Sequence, residues 1–250
     1  MFSNGKTWAQ VFADKMDHKG ALSNLGTNDN YAFGGARARI CDPMCAAPGF
    51  SAQIDMFLGH YGAADSDALY VVQFGGNDVR DALFAAAIHS DLTVAIGILQ
   101  DAIETTIGNI YLLYQRGARN FLVANVPNLS LARVIRLAGA ESVAGFFIYF
   151  IYNPGLEMGL ASIESLEGIS IDRIDFFKFT NDVHDAPNEF GIEEPDAPCL
   201  NFLADTEVGA ICEEPEAHIF WDGIHPTVAV HEELGGMAEE LFDDDDDDDD

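Results

Sequence analysis

Apolar residues follow two rhythms along the chain, one with the period of a helix and one dense enough for a buried strand. Trp8, Val11, Phe12 and Met16 fall on one helical face, and Ile54, Phe57, Leu58 and Tyr61 mark a second amphipathic helix. LYVVQF, Leu69 to Phe74, is a β-rich run closed by Gly75 and Gly76, the pattern of a parallel strand buried on both faces. From Asp91 to Arg116 the residues Leu92, Ala95, Ile96, Leu99, Ile103, Ile107, Ile110 and Tyr114 form an apolar stripe, with Gly117 as its stop. FLVANVP, Phe121 to Pro127, predicts a second strand ended by its proline. Helical patterns follow from Leu131 to Tyr152 and from Leu156 to Glu167, and ISIDRIDFF, Ile169 to Phe177, predicts a third strand. Asn181 to Ala217, with Pro187, Pro195, Pro198 and Pro215, reads as loop, and a last helix is expected from Thr227 to Leu241.

Strand, helix, strand, helix, strand implies an α/β fold with a parallel sheet covered on both faces. Active groups in such folds lie beyond the carboxyl ends of the strands, where GGND and NVP stand. The most apolar stretch, GFFIYFIY from Gly145 to Tyr152, is too short to span a bilayer, so no stable membrane insertion is expected. It reads as a buried helix segment or as the wall of an apolar pocket.

Composition narrows the function. The 250 residues are 48% apolar, enough for one well-buried domain, which we place at residues 1–242. Asp243 to Asp250 form a low-complexity tail expected to be disordered by self-repulsion. The formal net charge is −30, and a surface of that sign repels nucleic acid and anionic headgroups, so no nucleic-acid partner is expected. Cys41, Cys45, Cys199 and Cys212 include no zinc-type spacing; a Cys199–Cys212 bridge is expected if the chain reaches an oxidising compartment. No signal-peptide pattern opens the sequence. His18, His60, His89, His184, His218 and His231 are scattered and read as solvent-facing or packed.

Three segments carry chemistry. In WDGIHPT, Asp222 and His225 are three residues apart on a tight turn. A histidine that accepts a proton from an attacking hydroxyl needs a carboxylate on its other ring nitrogen, and one short segment supplies both. A helix-start turn with a capping Asp would give the same spacing. In FGGNDV the two glycines permit close backbone approach, and Asn77 offers an amide to a developing oxyanion; an ordinary strand-to-helix turn would look alike. NYAFGGA, Asn30 to Ala36, holds another glycine pair at an expected strand end, able to present a backbone N–H or simply to form a tight turn.

Taken together, in this order, these segments resemble the SGNH/GDSL hydrolases, particularly the branch of autotransporter esterases and plant-type GDSL lipases. FSNGKTW, RGARNFLVANVPNL and IFWDGIHPT follow that branch's wording, and the resemblance runs from Phe2 to Leu241. It implies a three-layer α/β/α sandwich of flavodoxin-like topology and a carboxylic-ester hydrolase acting on a small-molecule or lipid ester, with no metal or organic cofactor. It makes His225 the base, Asp222 its partner, and Gly35 and Asn77 the oxyanion donors. Related enzymes are often exported, which suggests an extracellular location. Partner chains are not indicated.

The sequence departs from the family at one block. The nucleophilic serine belongs to a Gly-Asp-Ser segment after the family's first strand, and no Gly-Asp-Ser occurs in these 250 residues. Ser3, Ser23, Ser51 and Ser66 lack that context. The expected sheet therefore lacks its first strand, which in the family lies between the second and third. The expectation is a shortened form of a longer enzyme, inactive or crippled as it stands. The alternative is a non-catalytic relative that binds acyl or glycan ligands.

Overall fold

The computed structural model describes residues 2–17, 29–40, 45–89, 91–202 and 209–243. The elements run in the order α1 (Trp8–Lys15), α2 (Phe50–Tyr61), β1 (Leu69–Gln73), α3 (Gly76–Ile88), α4 (Thr93–Gln115) and β2 (Asn120–Ala124). A 3-10 turn (Leu129–Leu131), α5 (Arg133–Leu137), α6 (Glu141–Phe146), a π-helical segment (Phe147–Tyr152) and α7 (Asn153–Ile163) follow. The chain then forms β3 (Ser170–Ile174), α8 (Phe176–Asp185), 3-10 turns at Pro187–Phe190 and Pro215–Ala217, and α9 (Val228–Asp243).

The described residues group into two compact units. One draws on residues 23–127 and 142–175 and contains the sheet; the other draws on residues 1–22, 128–141 and 176–250.

In the sheet unit the strands are parallel in the order β1-β2-β3, with Leu69 opposite Asn120 and Asn120 opposite Ser170. β2 lies in the middle, and Phe121, Leu122, Val123 and Ala124 are all buried, as a strand covered on both faces requires. Helices flank this sheet. α4 buries Ala95, Leu99, Ala102, Ile110 and Leu113 and packs against α7. Gly155 and Gly159 of α7 permit the approach, because a Cβ on either would fall 2.7 or 2.5 Å from the Ile103 or Ile107 side chain. The α/β class with a helix-flanked parallel sheet is therefore as the sequence predicts. The expected poly-Asp disorder and Cys41 lie outside the described residues, except that α9 extends through Asp243.

Several boundaries differ. The predicted helix from Leu131 to Tyr152 is broken: Gly139 adopts φ 63°, and α5 and α6 stand on either side of it. No break separates Tyr152 from Leu156, since the π-helical segment runs directly into α7. The third strand stops at Ile174, and Phe176 and Phe177 begin α8, so the expected loop starts later than Asn181. FGGNDV is a strand-to-helix turn that leads into α3, a helix of 13 residues, with Gly75 rather than Asn77 or Asp78 at its N-cap. Residues 29–40 carry no strand, so the glycine pair of NYAFGGA sits on a turn.

In the other unit α1 packs against α9. Trp8 and Phe12 are buried there, and the Trp8 backbone N–H donates to His231 Nδ1 at 3.2 Å. The segment 193–221 is stitched down by isolated bridges at Glu194–His218 and Leu200–Ile211 and by the Cys199–Cys212 disulfide.

Candidate active site

Asp222 and His225 lie on a tight turn ahead of α9. The turn is closed by the Trp221 N–H donating to the His225 carbonyl at 2.8 Å and by an antiparallel bridge between Phe220 and Pro226. Thr227 is fully buried and ties the exit, its hydroxyl donating to the His218 carbonyl at 2.7 Å. Asn4 caps α9, its side-chain oxygen accepting from the Val228 N–H at 2.8 Å. This gives the FSNG segment a structural task. Ser3 is buried, and its oxygen accepts from the Gly5 N–H at 3.3 Å.

Within the turn, Asp222 Oδ1 accepts from the N–H groups of Ile224 (2.9 Å) and His225 (2.8 Å). Asp222 Oδ2 stands 2.8 Å from His225 Nδ1. Partial burial opposes ionisation of Asp222, but the hydrogen bonds from the His225 ring and from these two N–H groups outweigh it and hold the carboxyl below its ordinary range. Oδ1 also lies 3.1 Å from Nδ1, so both carboxylate oxygens face the ring. Asp222 caps no helix, since α9 begins at Val228 and Asn4 caps it. With Nδ1 engaged, Nε2 is the nitrogen left to exchange a proton. The ring is part-exposed and touches Phe2, centroids 4.9 Å apart.

Gly35 and Asn77 belong to the sheet unit. Gly35 takes φ 83°, which glycine adopts without a Cβ penalty, and its N–H has no acceptor among the described residues. Asn77 lies in the first turn of α3, and its side-chain amide donates to the Ala36 carbonyl at 3.0 Å. One of its two amide hydrogens is thereby used, and the amide is held beside the Gly35 turn. The structure brings these two expected residues together, just as it joins Asp222 to His225 in the other unit.

The support beneath Gly35 and Asn77 was not visible in the sequence. Arg37 clamps Asp81 through two hydrogen bonds of 3.0 and 2.8 Å and also donates to the Gly35 carbonyl at 2.7 Å. Arg39 pairs with the same Asp81. Asp78 is fully buried, accepts from the Ala38 N–H at 2.9 Å, and has Arg39 Nε 3.4 Å from its other oxygen. Burial dominates there and raises the Asp78 carboxyl to about 6, against the pull of the Ala38 N–H and Arg39. The retrospective signal is the spacing: arginines two apart after NYAFGG and acids three apart on α3.

Gly75 N-caps α3 at φ 111°, and Tyr152 packs over it so closely that a Cβ would fall 2.3 Å from the ring. Among the described residues no group of three or more His, Cys, Asp or Glu side chains could hold a metal ion, and no helix is long and apolar enough to cross a membrane.

Known proteins are similar to this chain in sequence. A GDSL esterase/lipase of Arabidopsis thaliana is 24% identical, across 95% of this chain and 77% of its own length. A second Arabidopsis thaliana GDSL esterase/lipase is 24% identical, across 97% and 76%. An acetylesterase of Thermothelomyces thermophilus is 27% identical, across 80% and 66%. The family pattern of the GDSL-like lipases and acylhydrolases matches residues 1–236, a span holding both oxyanion candidates and the Asp222–His225 turn, and the chain belongs to that family.

Proposed function

We propose that this chain carries the base and the oxyanion donors of a serine-dependent carboxylic-ester hydrolase. The hydrogen bond between Asp222 Oδ2 and His225 Nδ1, at 2.8 Å, is the observation that supports this best. It fixes the ring's orientation and leaves Nε2 as proton acceptor. The names of the relatives, esterase/lipase and acetylesterase, point to esters as the substrate class.

In the proposed reaction a serine hydroxyl oxygen adds to the ester carbonyl carbon while its proton passes to His225 Nε2. The carbonyl electron pair moves onto oxygen, where Gly35 N–H and the Asn77 amide donate to it. Collapse breaks the bond to the alkoxy group, which leaves with the proton from His225. Water, deprotonated by the same ring, then releases the acid and restores the serine. Asp222 stabilises the imidazolium in both halves.

None of the 250 residues supplies a Gly-Asp-Ser nucleophile. That observation favours a second reading, a non-catalytic module that binds acyl or glycan esters. The two separate on p-nitrophenyl acetate and butyrate. The chain is assayed alone and with a strand ending in Gly-Asp-Ser fused ahead of residue 2. Hydrolysis that requires the fused serine supports the enzyme reading. Ester binding without hydrolysis in a folded fusion supports the second.

A further inference from the structure

We infer that Arg37, anchored on Asp81, is a positioning residue that sets the direction of the Gly35 N–H and holds the Asn77 amide beside it. The inference rests on the ester-hydrolase reading, in which those two groups receive the oxyanion. It assigns their aim to a side chain that takes no part in the bond changes themselves.

The glycine pair creates the need. Gly34 and Gly35 can turn the peptide between them at little steric cost, so a donor at Gly35 keeps one direction only if its neighbours are held. They are held from one element. Asn77 and Asp81 stand four residues apart on α3, hence on one face of it. Asn77 donates to the Ala36 carbonyl at 3.0 Å. Asp81 grips Arg37 by two guanidinium nitrogens, at 3.0 and 2.8 Å, and the third nitrogen donates to the Gly35 carbonyl at 2.7 Å. Two successive carbonyls of the turn are thus tied to one helical face. The peptide between Gly35 and Ala36 is pinned at both ends, because the Ala36 N–H donates to the Phe33 carbonyl at 3.2 Å.

Arg37 is itself firmly mounted. Its carbonyl accepts from the Phe50 N–H at the start of α2, at 3.1 Å, and the next N–H, that of Ala38, donates to buried Asp78 at 2.9 Å. The Arg37 and Asp81 side chains are only 14% and 19% exposed, so water competes little for their hydrogen bonds. The chain has 12 Lys and Arg against 42 Asp and Glu, yet Arg37 and Arg39 both converge on Asp81. A lysine at 37 would also neutralise Asp81. Its rotating ammonium would not fix the spacing between a carboxylate and a backbone carbonyl as the planar guanidinium does.

The test is NMR of the 250-residue chain labelled with heavy nitrogen at glycine and asparagine, following the Gly35 amide and the Asn77 side-chain amide in Arg37→Lys and Arg37→Met. In the parent chain Gly35 should give one sharp signal, and the bonded Asn77 hydrogen should exchange slowly. Both variants should shift or broaden the Gly35 signal and speed Asn77 exchange about 10-fold, the weight of one charge-assisted hydrogen bond. Arg37→Lys should do so at little changed melting temperature, and in Arg37→Met the remaining Arg39 keeps Asp81 paired. Arg173→Met, which removes the pairs with Glu157 and Glu164 on β3, should leave both signals in place. Parent-like Gly35 and Asn77 signals in folded Arg37→Met overturn the inference. So do parent-like signals in Arg37→Lys, since a charge alone would then suffice. In the serine-supplied chain Arg37→Lys should lower kcat about 10-fold with KM little changed, and an unchanged kcat beside shifted signals also overturns it. A serine-supplied parent that hydrolyses no ester overturns the enzymatic reading, while the NMR result still decides whether Arg37 aims Gly35.

Discussion

Asp222 holds both its turn and the His225 ring, and the glycine that follows it is tightly packed. A Cβ on Gly223 would fall 2.3 Å from Val134 Cγ1 and 2.5 Å from Phe202 Cζ. Gly223→Ala should therefore cost about 2–3 kcal/mol, read as a lower urea midpoint at unchanged slope. Gly75→Ala adds a strained φ to its collision with Tyr152 and should cost at least as much, about 3 kcal/mol. The motif residues were legible because their chemistry is written in short spacings: three residues for Asp222 and His225, one turn for Gly75 to Asn77. The Arg37–Asp81 clamp was not, because its partners are 44 residues apart and no local rule pairs them.

At the level of elements, the Cys199–Cys212 disulfide ties together two positions, the first of which is pinned to the residues before Asp222. Cys199 N–H donates to the Phe220 carbonyl at 3.0 Å, and Leu200 N–H to that of Trp221 at 2.6 Å. Replacing both cysteines by Ala should cost about 2–3 kcal/mol by the entropy of a loop this size, measured by thermal unfolding. The three strands were readable because an apolar run between turn residues has few other uses. α3 was not, because ALFAAAI lacks the polar positions that give a helix its period. Phe176 and Phe177 carry strand-like propensity, yet they start a helix in which Phe176 and Phe179 are buried, so packing decided what propensity left open. The π-helical segment has no sequence rule of its own; a helical expectation covered it without its hydrogen-bond pattern.

For the whole molecule, two buried groups pull stability in opposite directions with pH. His231 is held neutral by burial, its value lowered from 6.5 to about 4, with the charge of His225 a smaller cause. Between those values the unfolded chain binds the extra proton, so this contribution is full above 6.5 and is lost as pH falls towards 4. Asp78, raised from 3.8 to about 6, does the reverse: its contribution is present at low pH and is lost as pH rises through about 6. The two slopes offset each other between about 4 and 6. Asp78→Asn keeps an acceptor for the Ala38 N–H and should make stability rise more steeply with pH there, by up to about 1.4 kcal/mol per pH unit. His231→Gln removes the rising contribution and should shift the slope the other way by a similar amount, towards falling stability as pH rises. Urea unfolding at several pH values checks both.

On the proposed reading, Asp222 and His225 form the proton-transfer pair of an ester hydrolase. The most direct test is kcat/KM on p-nitrophenyl butyrate for the serine-supplied chain against its His225→Ala variant, at equal folding by circular dichroism. The variant should lose about 10³-fold or more, carried by kcat with KM little changed. Equal rates in the two proteins would contradict it, and His225 would then be a turn residue without a part in catalysis.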